Sequence, residues 1–265
     1  MPKPALSTLL ALFLITTSSA AYALTCGTYS TNQSLTSNLD VLATQTHPCF
    51  TLTNGADLNL GGYTITCKIN PSFPGVNICD TMIRATAANS IVQNGKIVAD
   101  STQIGLAVDD ATQVKDLNVH GINDGEITTA IESLSIAATK IQGNVIRDVV
   151  VGISVSMPAS ASEVIDNFVE LRGDEDLTIG VGILGSASGD GPRVINNLVS
   201  NHVIGIAADA ELEVRVLDNI LCGGRTDNVD YDPLLIHALH TVTGNQCCER
   251  NPVDDCEITT PYVMP

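Results

Sequence analysis

The strongest candidates for catalysis in this sequence are a histidine and an aspartate at equivalent places in successive units of a repeat. His120 and Asp148 each follow a recurring Asn or Asp position by four residues, as do Val98, Leu171 and Asn201. Stacking of the units would bring His120 and Asp148 within hydrogen-bond reach, and a histidine held by an aspartate can act as a general base. The alternative is a column of polar turn residues, of which Asn201 is an ordinary member.

Two acidic segments are candidate calcium sites. Asp124 and Glu126 lie in the first segment, and Asp174, Glu175 and Asp176 lie in the second. Calcium prefers carboxylate and carbonyl oxygens, and loops of this composition can hold it in an extracellular protein. Neither segment has EF-hand spacing, so acidic loops that are simply solvated are the alternative. The cofactor prediction is therefore calcium or none.

These candidates lie within a repeat that predicts the fold. One motif ends in Asn or Asp at residues 94, 116, 144, 167, 197 and 219, and a second motif follows as Gly105-Leu106, Ala130-Ile131, Gly152-Ile153, Gly182-Ile183 and Gly205-Ile206. Each unit contains short β-branched segments between polar turns and lacks a helical period. Parallel coils stacked about 4.8 Å apart would bury these segments in one core. Asparagines in register can also hydrogen-bond one another. The sequence predicts an all-β solenoid of about seven coils.

The cysteines are divided equally between the two ends of the chain. They are Cys26, Cys49, Cys67, Cys79, Cys222, Cys247, Cys248 and Cys256. Zinc sites typically show paired C-x-x-C spacing, which does not occur here. Disulfides at both ends are therefore expected, as is typical of exported proteins. We expect Cys26–Cys49 and Cys67–Cys79 pairs, and the C-terminal pairing stays open.

Residues 1–23 have the pattern of a secretory signal peptide. Lys3 precedes a short apolar run, and Ala21-Tyr22-Ala23 fits a cleavage site. The run is too short to span a bilayer, and no later stretch of about 20 apolar residues occurs. We expect a signal peptide at 1–23, an N-terminal cap and first coil at 24–80, repeats at 81–224 and a Cys-rich C-terminal cap at 225–265. The predicted location is secreted or periplasmic, without membrane insertion.

The charge balance excludes several classes of partner. The chain has 12 Lys and Arg against 29 Asp and Glu, for a net charge of −17. Nucleic acid requires a basic footprint, and so does docking on anionic lipid. Aromatic residues make up only 3% and there is no Trp, so an aliphatic core is expected, with Phe168 within it.

The start of the chain and its repeats together resemble a known family. Cys26-Gly27 and Cys49 precede the segment Leu58-Asn59-Leu60-Gly61-Gly62-Tyr63-Thr64-Ile65, and Val-Ile-x-Asn-x-Val followed by Gly-Ile is similar to the PbH1 parallel β-helix repeat. Over about residues 26–224 the chain resembles secreted proteins of the pectin-lyase-like superfamily. The resemblance implies a right-handed parallel β-helix. That superfamily includes polysaccharide lyases, hydrolases, epimerases and non-enzymatic surface proteins, so it does not specify an activity.

The resemblance implies that a substrate cleft would follow the sheet that holds the Gly-Ile motifs. With Leu106, Ile131, Ile153, Ile183 and Ile206 turned inward, alternation turns their neighbours outward. Those neighbours are Gly105 and Ala107, Ala130 and Glu132, Gly152 and Ser154, Gly182 and Leu184, and Gly205 and Ala207. One carboxylate and no basic residue are expected there. A lyase needs calcium ligands and a base, and a glycosidase needs a carboxylate pair.

A charged column is expected on another face. Lys140, Glu163, Arg193 and Arg215 each stand four residues before the recurring Asn position. Specification of register is one role for such a column, and a polyanion track is the other.

Two functional hypotheses follow. The first is an exported scaffold or binding protein that contacts an extracellular polysaccharide through the side loops at 122–129, 156–162, 172–180 and 185–192. The second is a polysaccharide lyase or epimerase that acts on acidic sugars, with calcium in the acidic loops. The bare Gly-Ile sheet favours the first hypothesis.

Overall fold

The computed structural model describes thirteen segments of the chain. They are residues 24–42, 48–68, 79–99, 102–121, 129–135, 137–156, 162–172, 178–185, 191–210, 213–223, 232–236, 241–248 and 254–255. The predicted signal peptide at 1–23 lies outside these segments.

The described residues form short strands joined by turns, and they contain no helix. None of them forms a helix that could cross a membrane. The strands are β1 (Gly27–Tyr29), β2 (Gln33–Ser34), β3 (Leu39–Leu42), β4 (Phe50–Leu52), β5 (Leu58–Asn59), β6 (Thr64–Lys68), β7 (Cys79–Ala85), β8 (Ser90–Ala99), β9 (Thr102–Val108), β10 (Thr112–Gly121), β11 (Thr129–Ser133), β12 (Lys140–Gln142), β13 (Val145–Val149), β14 (Val151–Ser156), β15 (Glu163–Ile165), β16 (Phe168–Leu171), β17 (Ile179–Gly185), β18 (Arg193–Ile195), β19 (Leu198–His202), β20 (Ile204–Ala210), β21 (Arg215–Leu217), β22 (Ile220–Gly223), β23 (Asp232–Ile236), β24 (Thr241–Thr243), β25 (Gln246–Cys247) and β26 (Asp254–Asp255).

The strands wind into a parallel β-solenoid. Sheet 1 contains nine strands in the order β1-β4-β7-β9-β11-β14-β17-β20-β23. Each coil then contributes to a second face, through strands such as β12, β15, β18 and β21, and to a third face, through strands such as β13, β16, β19 and β22. The regular part makes about six turns, which confirms the predicted fold class and is close to the seven turns expected.

The core is aliphatic because each of the three faces turns one column of β-branched or leucine side chains inward. Each of these side chains is at most 1% exposed: Leu106, Ile131 and Ile153 in sheet 1, Val114, Ile141 and Val164 on the second face, and Val119, Ile146 and Val169 on the third. Full burial of each such side chain contributes about 1.5–3 kcal/mol relative to exposure. Phe168 is not part of this core, contrary to expectation: it is half-buried on the outside of the third face.

An asparagine ladder joins the second and third faces. It consists of Asn144, Asn167, Asn197, Asn219 and Asn245, all at most 5% exposed. In the first four, Nδ2 donates to the Oδ1 of the next asparagine at 2.8–2.9 Å, and the same Oδ1 accepts the backbone N–H of the preceding one. Four members confirm the sequence prediction, and Asn245 adds a fifth.

The first two expected ladder positions are wrong by one residue. Asn94 and Asp116 instead have positive φ, as do Gly143, Asp166, Asn196, Asp218 and Gly244, with values between 54° and 71°. These seven residues form a left-handed turn column, a conformation that Gly, Asn and Asp tolerate best. In the coil of Asp116, Leu117 occupies the ladder position, and its backbone N–H donates to Asn144 Oδ1 at 3.1 Å.

Disulfides reinforce the ends of the solenoid. The expected Cys26–Cys49 and Cys67–Cys79 pairs are confirmed, and Cys222 pairs with Cys248. Cys247 is also disulfide-bonded, while Cys256 lies outside the described residues. The parallel pairing continues past residue 224 through β23, β24 and β25.

At the C-terminal end of the solenoid, the edge of the third face is covered by a two-residue strand of opposite direction. β26 pairs antiparallel with β25, with Gln246 opposite Asp255 and Cys247 opposite Asp254. A parallel coil cannot be added onto an antiparallel strand in the same pattern, so this arrangement protects an edge that would otherwise template association.

We predict that Asn197→Ala lowers the free energy of unfolding by about 3 kcal/mol, because it leaves buried partners on both neighbouring coils without their hydrogen bonds. The lost partners include the backbone N–H of Asn167 and the carbonyl of Val164. Thermal or denaturant unfolding measures the change. The matched control is Asn196→Gly in the adjacent left-handed turn, where glycine fits the positive φ and the expected change is under about 1 kcal/mol. Equal losses from the two variants would contradict a structural role specific to the ladder.

Candidate functional site

The structure brings His120 and Asp148 together, as predicted from the sequence. His120 lies near the end of β10 and Asp148 near the end of β13, on the outside of the third face. The His120 Nδ1 atom lies 3.2 Å from Asp148 Oδ2, and the side chains are 32% and 52% exposed. The carboxylate therefore orients the imidazole, and Nε2 is left for proton transfer. This geometry is compatible with a general base, and solvent can reach it.

The contact arises differently from the way that simple repeat alignment suggests. The strand register places His120 beside Arg147, not beside Asp148. Asp148 is an extra residue in β13, with φ of 55°, between two residues that pair regularly with β16. The sequence count started from Asp116, which is one residue before the ladder position of its coil. The bulge adds one residue to β13, and it therefore brings Asp148 next to His120 as that count predicted. Bulges of this kind re-aim side chains.

Asn201 occupies the equivalent bulge two coils later. Its φ is 58°, and it interrupts the register between β19 and β22 just as Asp148 interrupts that between β13 and β16. Both bulges occur where the chain passes from the third face into sheet 1 through a single residue. The turn interpretation therefore explains why Asp148 is there, and the His120 contact is an additional property of the position.

The pair lies beside a second group of charged side chains. Arg147 Nε lies 3.4 Å from Glu170 Oε2, and the Arg147 guanidinium carbon lies 5.4 Å from the centroid of the Phe168 ring. Both contacts are on the exposed side of the third face. Arg147 thus places a positive charge on the strand that contains Asp148.

The predicted calcium ligands Asp124, Glu126, Asp174, Glu175 and Asp176 lie outside the described residues. Within the described segments, no group of three or more His, Cys, Asp or Glu side chains is arranged to hold a metal ion. The calcium prediction therefore stays a prediction about the two acidic loops.

The exterior of sheet 1 differs from expectation at its glycines. Gly105, Gly152 and Gly205 do not face outward but are buried at the corner between the third face and sheet 1. A Cβ on Gly152 would lie 2.4 Å from Val169 Cγ1, so a larger residue would collide with the third face. Gly180, and not Gly182, occupies the equivalent corner position in the next coil, because Ile153 pairs with Val181. The Gly182-Ile183 motif thus lies two residues further along its strand than the Gly152-Ile153 motif does.

The register defines the true exterior column of sheet 1. It contains Arg84, Ala107, Glu132, Ser154, Gly182 and Ala207. The predicted single carboxylate is Glu132, and the coils for which the prediction was made have no basic residue in the column. The column extends one coil further back than predicted, to Arg84, which lies two coils before Glu132. Arg84 was missed because its coil has Met82 where the Gly-Ile motif has a small residue. The buried pair Met82-Ile83 was the signal that could have revealed it.

Arg84, Asp109 and Glu132 form a charged cluster on this column. Arg84 Nε donates to Asp109 Oδ2 at 2.6 Å. Asp109 Oδ1 is buried and makes no hydrogen bond with any described residue. Asp109 directly follows β9, so it reaches the end of the sheet 1 exterior in the coil between Arg84 and Glu132.

The pKa values of two groups in the cluster, the Glu132 carboxyl and the Arg84 guanidinium, are raised. Partial burial raises the pKa of the Glu132 carboxyl, the Arg84 charge lowers it, and the Asp109 charge raises it. The hydrogen bond with Asp109 raises the pKa of the Arg84 guanidinium. A carboxyl of raised pKa beside an arginine is a feature of acid–base sites and also of structural ion pairs.

His202 is a buried histidine that the repeat pattern does not single out. It lies at the end of β19, directly after the bulge at Asn201, and is 1% exposed. Burial lowers its pKa from 6.5 to about 4, because the core disfavours the charged imidazolium.

The charged column on the second face forms as predicted. The register aligns Lys140, Glu163, Arg193 and Arg215 on successive coils. Lys140 Nζ lies 3.5 Å from Glu163 Oε2, and Arg193 donates to the other oxygen of the same carboxylate. Glu163 thus joins three coils, which supports the role in specifying register.

No protein-family model, curated protein or solved structure matches this chain. The fold therefore rests on the structure, and the resemblance to the pectin-lyase-like superfamily stays a prediction from the motifs.

We predict that Arg84→Gln raises the pKa of Glu132 further, because it removes the positive charge that lowers it. Carbon-13 NMR titration of the glutamate carboxyls measures this shift. Lys68→Gln is the control, since it removes an ion pair with Asp40 elsewhere in the solenoid. An unchanged or lower pKa of Glu132 in Arg84→Gln would show that the cluster is not electrostatically coupled.

We also predict that His202 makes stability depend on pH. Between pH 6.5 and about 4 the unfolded state binds a proton that folded His202 does not, so stability falls as the pH falls through this window. The full effect is about 3 kcal/mol. Denaturant unfolding of the wild type and His202→Gln at several pH values isolates this contribution, because the other titrating groups are common to both. Parallel pH profiles would contradict the assignment.

Proposed function

We propose that the protein is an exported binding scaffold that contacts an extracellular polysaccharide along sheet 1 and through its flanking side loops. Disulfides at both ends of the solenoid fit an oxidising compartment. The predicted signal peptide supports the same location, which is secreted or periplasmic.

The observation that carries the proposal is the small size of the side chains outside sheet 1. Over five coils the exterior column contains Ala107, Glu132, Ser154, Gly182 and Ala207, of which Glu132 has the one large side chain. Glu132 and Ser154 are half-buried, and the other three residues are buried. Coils repeat about every 4.8 Å. The result is a flat track in which Glu132 and Ser154 are the accessible hydrogen-bond partners for the hydroxyls of an extended sugar chain.

The borders of this track also suit a polymer. On one side runs a half-buried column that is apolar except at Thr129; it contains Ile104, Thr129, Val151, Ile179 and Ile204. The predicted side loops at 122–129, 156–162, 172–180 and 185–192 adjoin the sheet 1 strands β11, β14 and β17 in the chain. A polar chain with apolar ring faces can therefore contact both kinds of surface.

Affinity electrophoresis against a panel of neutral and uronic-acid polysaccharides tests this function. The variant is Gly182→Ile, because a Cβ at Gly182 would meet other atoms only at 3.8 Å or beyond. A melting temperature close to that of the wild type is required, to show that this buried position accepts the rest of the side chain. We expect at least about a tenfold loss of affinity, or about 1.4 kcal/mol. Gln113→Ile on the second face is the control and should bind normally. No binding by the wild type, or equal loss from both variants, would contradict the proposal.

The second candidate function is a polysaccharide lyase or epimerase acting on acidic sugars. Its support is the oriented pair of His120 and Asp148, with Nδ1 and Oδ2 at 3.2 Å. In a lyase step a base removes the proton at C5, the C4–O bond to the leaving sugar breaks, and a C4–C5 double bond forms, while the leaving oxygen takes up a proton from water. Calcium in the acidic loops would neutralise the uronate carboxylate.

Ultraviolet absorbance of unsaturated products and a reducing-end assay, with calcium and with chelator, test the second candidate. Incorporation of deuterium from solvent at C5 tests for epimerisation. The enzymatic hypothesis predicts that His120→Ala and Asp148→Ala abolish turnover while thermal stability stays nearly unchanged. A large loss of stability in Asp148→Ala, with no turnover in the wild type, would leave only the structural role of the bulge.

A further inference from the structure

Six large apolar side chains outside the solenoid form a patch over three successive coils. We call this the apolar patch. It contains Ile165, Ile195 and Leu217 on the second face and Phe168, Leu198 and Ile220 on the third. Five of them are half-buried, and Ile220 is 38% exposed. The two rows lie on either side of the turn column, so they form adjacent stripes about three coils long.

The fold does not require apolar residues at these positions. In the second-face row, the preceding coils have Gln93, Lys115 and Gln142, and the following coil has Thr243. All of these residues are polar, although they occupy the same strand position with the same neighbours in register. The coil stacks equally well with either kind of residue, so core formation does not account for the change to Ile and Leu.

In the third-face row, too, the large apolar residues are concentrated in these three coils. Lys96 and Asn118 precede it and Gln246 follows it, with Val145 as the one apolar residue beyond the three coils. On the second face the patch is therefore bounded by polar side chains at both ends, and on the third face Val145 separates Phe168 from Asn118. A contiguous apolar surface with a polar rim is typical of an interaction site.

Charged side chains surround the patch in a self-complementary arrangement. The ridge between the two stripes carries the exposed carboxylates of Asp166 and Asp218, held outward by the left-handed turn. Arg193 and Arg215 lie along the outer edge of the second-face stripe, where Arg193 also pairs with Glu163. Arg147, which pairs with Glu170, lies on the third face. When two such surfaces face each other about a two-fold axis, the acidic ridge of one can approach the basic edge of the other.

We propose that the apolar patch is the contact surface of a homodimer, in which two copies of the chain pack their solenoids side by side. Both copies have coils about 4.8 Å apart, so the side-chain rows of one fit the grooves between rows of the other over several coils. A two-fold interface uses the same surface twice, which the charge arrangement allows.

The dimer is expected to be weak and to depend on salt. Three coils supply less surface than the roughly 800 Å² per partner of a stable interface, so the polar rims must add contacts. Each copy also has a net charge of −17, whose repulsion salt screens. We therefore expect association in the micromolar range that strengthens from low to moderate ionic strength.

Sedimentation equilibrium of the mature chain over a concentration series tests this proposal. The main variant combines Ile195→Lys and Leu198→Asn, which introduces the residues that the chain itself has at Lys115 and Asn118 in the same rows. Ile220→Gln is a second and milder variant, which introduces the residue type found at Gln246 in the next coil of the same row. Leu184→Asn is the matched control, because Leu184 is a comparably exposed apolar residue, at 42%, on sheet 1.

The expected result is a monomer–dimer equilibrium for the wild type and the control, with dimerisation weakened at least about tenfold in both patch variants. Circular dichroism and melting temperatures check that all variants are folded. A wild type that stays monomeric at about 200 µM in moderate salt would overturn the proposal. So would folded patch variants that dimerise like the wild type, or loss of the dimer in Leu184→Asn alone.

Discussion

The asparagine ladder is the interaction on which the rest of this structure depends. A parallel coil must turn sharply between the second and third faces, and that turn buries backbone groups that the strands cannot satisfy. Asn197 shows the solution: its amide donates to the carbonyls of Val164 and Ile195 and to Asn219, while its Oδ1 accepts twice from Asn167. One side chain thus closes its own turn and fixes the position of the coils on either side. Left-handed residues before each ladder asparagine make the turn sterically possible.

The asparagine ladder and the aliphatic core hold the coils together from within. Residues at outward-facing positions can therefore vary without loss of the stack. The same row contains Lys115, Gln142 and Ile195, and the exterior of sheet 1 ranges from Arg84 to Gly182. Differences between coils at such positions are therefore informative about function. The flat track of sheet 1, the His120–Asp148 pair and the apolar patch are three such differences, on three parts of the surface.

Much of the fold was predictable because its signals are local and repeated. Recurrent asparagines, β-branched segments and end-clustered cysteines indicated a solenoid with two correct disulfide pairs. The errors came from register, which a sequence repeat specifies only to within one residue when turn and ladder residues are chemically alike. Asp116 was assigned to the ladder because Asp suits both columns, and only the backbone showed that Leu117 occupies the rung. The contact of His120 with Asp148 was predicted, but the bulge that produces it was not. Arg84 was not predicted because its coil has Met82 at the position where the Gly-Ile motif has a small residue.

The most direct test of the ladder's role is hydrogen exchange at the asparagine side chains, followed by NMR in the folded protein. We expect the Nδ2 protons of Asn144, Asn167, Asn197 and Asn219 to exchange slowly, because each is buried and donates to the next coil. Asn94 and Asn196, in the exposed turn column, should exchange rapidly. Rapid exchange at the four ladder positions, in a protein whose backbone amides are protected, would contradict the claim that the ladder holds the coils in register.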